Sequence, residues 1–216
     1  MTCPEGTLRV AVLGETSGRV RDAFRRRGHD AISYDLLETD APGPHVRGDY
    51  MDADLSGMDI IVAHPTCTYL CNSGVRWLHT ERGRWERMRA AAHHFKKVLD
   101  LSARIGIAVE NPVRHKYAVE IVGRRQDQTI QPWQFGHGET KATGLWLRGL
   151  PPLVPTNIVA GREARVHRMP PGPDRWKKRS ETYAGIADAM ASQWGRLRVP
   201  GVIAGLGEQG ERRAAS

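Results

Sequence analysis

Short apolar runs separated by glycine- and proline-bearing stretches organise this chain, and two of them end on chemistry. Met58-Asp59-Ile60-Ile61-Val62-Ala63 runs into His64-Pro65-Thr66-Cys67, and Ile105-Gly106-Ile107-Ala108-Val109 runs into Glu110-Asn111-Pro112. Both are bounded and rich in β-branched residues, which predicts buried strands of a parallel sheet. Residues 8–13 read as an earlier strand, followed by the turn Gly14-Glu15-Thr16-Ser17-Gly18 and a basic helix over 19–27 closed by Gly28. Residues 31–35 form a second strand ending on Asp35. Pro42 and Pro44 make 38–46 a loop, and 48–52 a short third strand or turn. Between the two chemistry-bearing strands, Trp85, Met88, Ala91, Ala92, Phe95, Val98, Leu99 and Leu101 recur at helical spacing. Strand and helix in alternation predict an α/β fold with a mostly parallel sheet and helices on both faces.

After Pro112 the pattern changes. Residues 131–141 are dense in polar and aromatic groups, and Leu145-Trp146-Leu147 reads as another strand. Pro151, Pro152 and Pro155 mark a loop. Residues 162–179 are strongly basic and broken by Pro170, Pro171 and Pro173, and a last helix is expected over 180–196. The tail from Gly201 reads as disordered. One domain over 1–200, with a short basic insertion at about 150–178, accounts for the whole pattern.

Composition narrows the setting. No apolar stretch of the 216 residues approaches the ~20 that a membrane span needs. The first residues lack the basic and apolar regions of a signal peptide, so a cytoplasmic home is expected. Cys3, Cys67 and Cys71 are too few for a disulfide framework and fit free thiols. A net charge of +8 favours a polyanionic partner, nucleic acid first and nucleotides second.

In open α/β sheets ligands collect beyond the carboxyl ends of the strands. A thiol and a carboxyl group delivered there suit conjugate addition to a pyrimidine: the thiolate attacks C6, the acid protonates N3, and C5 becomes nucleophilic. Cys67 is therefore the candidate nucleophile and Glu110 the candidate acid. Cys67 could instead be a buried structural thiol and Glu110 a brace for backbone amides. His64, Cys67 and Cys71 offer three zinc ligands where a structural site wants four, so no metal is expected.

On these residues the chain resembles the DNA (cytosine-5) methyltransferases, and in particular small phage-type members of that superfamily. In that family a Pro-Cys dipeptide after the fourth strand supplies the nucleophile and Glu-Asn-Val after the fifth supplies the acid. Pro65-Thr66-Cys67 and Glu110-Asn111-Pro112 look like these, with Thr66 where proline is usual and Pro112 where valine is. The resemblance covers most of residues 8–197 and implies a Rossmann-like class I methyltransferase core. It implies S-adenosylmethionine as cofactor, held by the turn bearing Gly14, Glu15, Ser17 and Gly18, by Asp35 and Asp49 after the second and third strands, by Pro65, and by Gly185 in the final motif. The family's Phe-x-Gly-x-Gly-Gly is absent. Asn111 would brace the acid's loop. His137 and Lys141 would line the substrate site, and Arg165 and Arg168 would contact phosphate.

Family members that read sequence carry a large recognition domain where this chain has only about residues 150–178. The resemblance thus implies methyl transfer to C5 of cytosine in duplex or single-stranded DNA with low intrinsic specificity, or a helper subunit, in a bacterial or phage-infected host cytoplasm. Two other readings stay open: the same chemistry on a free pyrimidine nucleotide, and a non-catalytic nucleic-acid-binding relative.

Overall fold

A computed structural model describes residues 6–173 and 175–199, and the expected disordered tail lies outside them. Seven strands form one sheet: β1 (Arg9–Leu13), β2 (Asp30–Asp35), β3 (His45–Arg47), β4 (Ile60–Ala63), β5 (Gly106–Pro112), β6 (Gln128–Ile130) and β7 (Thr143–Arg148). Their order across the sheet is β3-β2-β1-β4-β5-β7-β6. The first five run parallel, whereas β7 is antiparallel to both β5 and β6. This is the expected mixed α/β architecture, a Rossmann-like fold with a mostly parallel sheet.

Each strand residue serves one of two apolar layers because successive side chains leave opposite faces. Val10, Val12, Ile60, Val62 and Ala108 face α1 (Arg19–Arg25) and α6 (Ala184–Trp194), whose Phe24, Met190 and Trp194 are fully buried. Ala11, Leu13, Ile61, Ala63, Ile107 and Val109 face α2 (Arg84–Asp100), which buries Met88, Ala92, Phe95 and Val98 at helical spacing. On that face α2 also packs on α3 (Lys116–Val122). Two further short helices, α4 (Arg165–Arg168) and α5 (Arg175–Ser180), lie in the basic segment.

Several expectations need correcting. The third strand is His45–Arg47, inside the stretch expected to be loop; its register with Ser33–Asp35 starts directly after Pro44, and 48–52 is turn. Strand β5 does not stop at Val109, because Glu110, Asn111 and Pro112 pair with Leu145, Gly144 and Thr143 of β7. The long terminal helix is two helices, broken at 181–183, with Ser180 ending α5. Helix α3 and strand β6 had no counterpart in the sequence reading. No helix among the described residues is long and apolar enough to cross a membrane.

Candidate active site

Register explains why the two chemistry-bearing segments meet. Ala63 of β4 lies beside Val109 of β5, so the next residues, His64 and Glu110, leave the same face as neighbours. His64 Nδ1 stands 3.0 Å from Glu110 Oε2, and the Thr182 hydroxyl donates to the same oxygen at 3.2 Å from the segment entering α6. Both side chains are nearly sealed from solvent. Burial works against both charges; each is kept charged by the other, with Lys141 and Thr182 also favouring the carboxylate. The net result holds the Glu110 carboxyl below its ordinary range and the His64 imidazole above its own. Glu110 Oε1 accepts no hydrogen bond from the described residues, and His64 Nε2 is buried without a partner among them.

The Asn111 amide donates to the Pro65 carbonyl at 2.7 Å, tying the β5 end to the loop that carries Cys67. Cys67 follows in a tight turn, with its carbonyl accepting from the Leu70 and Cys71 amides. Its thiol interacts with that of Cys71, which lies 3.1 Å from the Ser73 hydroxyl. The Cys67 thiol, the Ser73 hydroxyl and the Gly74 amide drive the Cys71 pKa down to about 5. Cys67 is pushed up by hydrogen bonding to Cys71, by burial and by the Cys71 and Glu110 charges, with Lys141 opposing. Within the pair the ionised form is favoured on Cys71, whereas the sequence reading put the nucleophilic thiolate on Cys67.

Lys141 Nζ donates to the Glu181 carbonyl at 3.1 Å and reaches the site electrostatically. His137 Nε2 accepts from the Gly185 amide at 3.0 Å and tilts against Tyr183, so it anchors the start of α6. Gly185 is needed there because a Cβ would fall 1.9 Å from the Phe135 carbonyl oxygen. Arg165 pairs with Glu139 at 2.9 Å, whose other oxygen accepts from Tyr183 at 2.6 Å. With Arg168, Arg175 and Lys178 it lines an open cavity of about 500 Å³.

The glycine turn is built differently from a bare ligand cradle. Gly14 has φ 73°, and a Cβ on it would fall 2.5 Å from the His64 carbonyl oxygen, so the turn and the site loop touch through backbone. Glu15 is buried and caps α1, accepting from the Val20 and Arg21 amides at 2.8 and 3.2 Å and from the Ser17 hydroxyl at 3.2 Å. Its carboxylate is thus spent on the helix. Gly18 precedes α1 at φ 68°. The backbone amides of Thr16 and Ser17 donate to none of the described residues. Asp35 closes β2 with Oδ1 on the Leu37 amide, leaving Oδ2 free beside the exposed Leu36 and Leu37. Asp49, in the turn after β3, is exposed and accepts from the Met51 amide.

The fold thus gathers Pro65, Cys67, Glu110, Asn111 and Lys141, adds His64, Cys71 and Thr182, and leaves Asp35 and Asp49 at the far end of the sheet. No group of metal-binding side chains occurs among the described residues.

Comparison with solved structures finds distant likenesses. The solved structure of a methyltransferase from Entamoeba histolytica, EhMeth, is 14% identical and matches with a TM-score of 0.44 over 71% of this chain and 58% of that one. The chain therefore spans less than two thirds of that relative's length. No family model and no curated protein matches. The fold assignment rests on the sheet order itself.

The residues missed by sequence reasoning had faint signals. His64 stood in plain view beside Pro65 but was weighed only as a zinc ligand. Thr182 sat within the segment compared with the final motif and carried no chemistry of its own until α6 brought it onto Glu110.

Proposed function

We propose that the protein transfers a methyl group from S-adenosylmethionine to C5 of cytosine in DNA. The observation that carries this reading is the sealed His64–Glu110 pair, 3.0 Å apart, one loop away from a strand-end thiol. That combination supplies a nucleophile and a stored proton, the two requirements for activating a pyrimidine.

In this scheme the Cys71 thiolate takes the proton of the Cys67 thiol as Cys67 Sγ forms its bond with C6. The proton held on His64 Nδ1 passes to the Glu110 carboxylate, which protonates the ring's N3. Electron density then rests on C5. S-Adenosylmethionine, when bound, supplies the electrophilic methyl group that C5 takes. Water takes the C5 proton, and the N3 proton returns to the Glu110–His64 pair. Departure of Cys67 from C6, with its proton coming back from Cys71, restores the ring and the resting thiols. Asn111 keeps the two loops in register throughout, through its bond to Pro65.

The cofactor's fit is supported at specific atoms. Asp35 has an oxygen to offer ribose hydroxyls, exposed Leu36 and Leu37 offer an apolar face to adenine, and the free amides of Thr16 and Ser17 suit the amino-acid end. Glu15 has no such role, since it is consumed by α1. Arg165 and Arg168, on the rim of the basic cavity, would meet phosphate.

The deciding experiment is mass spectrometry after incubation with an oligonucleotide containing 5-fluorocytosine and S-adenosylmethionine. Fluorine at C5 blocks the final elimination, so a protein–DNA adduct carrying one methyl group on Cys67 is the expected product. An adduct with 5-fluoro-dCMP alone would transfer the chemistry to the nucleotide pool. Absence of adduct with both substrates would overturn catalysis and favour the binding-protein reading.

A further inference from the structure

The two segments that leave the candidate site run on to form a second surface. Past Cys67 the chain enters a 3-10 helix, Asn72–Leu78; past Glu110 it enters α3 through His115. A short bridge between Cys71 and Arg114, with the Asn72 amide donating to the Val113 carbonyl, clamps these continuations together. Between them lies an open groove of about 400 Å³, walled by Asn72, Val75, Arg76 and His79 on one side and by His115, Lys116 and Tyr117 on the other. That size falls in the range of small-ligand sites, about 300–1,000 Å³.

The groove's chemistry is cationic and aromatic, with no acid among its walls. On its walls Lys116 lies over Tyr117, and beside the groove Arg76 lies over the ring of Trp77, which is 42% exposed and flanks the lining. His79 and Tyr117 pack edge-on with Trp85, which holds the aromatic wall rigid from behind. The approach is basic as well: between residues 72 and 89 five arginines face two glutamates, and one of these, Glu81, is already engaged by Arg84 and Arg87.

We infer that this groove binds an unpaired nucleotide flanking the target cytosine, so that the protein takes single-stranded DNA as its substrate. The inference rests on the methyl-transfer reading for the identity of the target, but the groove is tested by binding alone. Exposed aromatic rings interleaved with cations recognise unstacked bases and their phosphates, and a paired base presents no free face to them. The location follows from the chain path, because the groove's walls are the continuations of the nucleophile and acid loops themselves.

The test is fluorescence anisotropy of the full chain with a labelled single-stranded oligonucleotide and its duplex, across a salt series. Wild type is expected to bind the single strand more tightly than the duplex. Arg76→Ala/Lys116→Ala should weaken single-strand binding at least tenfold and flatten the log–log salt slope by about 1.4, the share of two phosphate contacts at ~0.7 each. Trp77→Ala, on the surface, should cost about 5- to 100-fold, as for loss of one stacked base. Thermal melting by circular dichroism verifies that each variant is folded. Variants that bind like wild type, equal losses on duplex and single strand, or a wild type that prefers duplex would each overturn the inference. A groove-dependent strand affinity without any Cys67 adduct would sink the methyl-transfer reading and leave the groove standing.

Discussion

Glu110, near the end of β5, and Arg114, two residues beyond that strand, are both buried, and their surroundings could hardly differ more. Glu110 lies on the α1/α6 side, where His64 and Thr182 both contact one oxygen and the other accepts no hydrogen bond from the described residues. Arg114 points to the opposite layer, its guanidinium 3.2 Å from the Phe95 ring centre and 3.9 Å from that of Trp146. None of its side-chain nitrogens has a hydrogen-bond partner among the described residues. Burial alone drags its pKa down to about 9. The difference teaches how to sort buried charges. One paired with a titratable partner stores a proton that chemistry can draw on, whereas one wedged between rings stores only desolvation cost.

The sharpest way to break this comparison is Glu110→Gln, which should lower methyl transfer by about 10²–10⁴-fold, the span of general acid–base effects. Initial-rate assays with labelled cofactor would read it. An unchanged rate would put Glu110 in the same structural class as Arg114.

Arg114→Ala should act on stability instead. Emptying the space between Phe95 and Trp146 is expected to cost about 2–5 kcal/mol in urea denaturation, as for other large-to-small core changes. Arg114→Met, which fills the space without a charge, should be neutral or stabilising by about 1–4 kcal/mol. A loss with Met as large as that with Ala would mean the charge itself is needed there.

The smallest effect is in the pH dependence of stability. The His64 imidazole is raised, so its contribution is complete below the ordinary value of 6.5 and fades as pH climbs through the raised one. The Glu110 carboxyl is lowered, so its contribution is complete above 4.5 and fades as pH falls through the lowered one. The melting difference between wild type and His64→Gln should accordingly peak between pH 4.5 and 6.5 and shrink on either side. A difference that stays flat with pH would deny the pair its charge.

Most of the sheet was legible because its strands are apolar runs with clean borders, and α2 because its buried face recurs at helical spacing. What hid was polar structure buried by a distant partner. Glu110-Asn111-Pro112 looks like a loop until β7 pairs with it, and nothing local to 106–112 announces that partner. Helix α3 is short and rich in β-branched residues, and is specified by its ends: His115 Nδ1 accepts from the Ala118 amide, and Gly123 terminates it at φ 73°. Glu15 was misread for the converse reason. Its carboxylate in a glycine turn suggests a ligand contact, yet its two oxygens accept from the Val20 and Arg21 amides of α1. Cys67 and Glu110 were found because strand order delivers them wherever their neighbours pack. His64 and Thr182 required knowing which atoms meet.

The backbone contact at Gly14 has a consequence for how far this sequence can drift. Because the turn leans on the His64 carbonyl with no space for a methyl group, position 14 is locked by the histidine loop rather than by any ligand. Half-buried Thr16, by contrast, spends its side chain only on Asp40 and is open to replacement. In a saturation library scored for folding alone, Gly14 would tolerate almost nothing. A glycine signature can thus thin to a single residue and still hold its loop in shape.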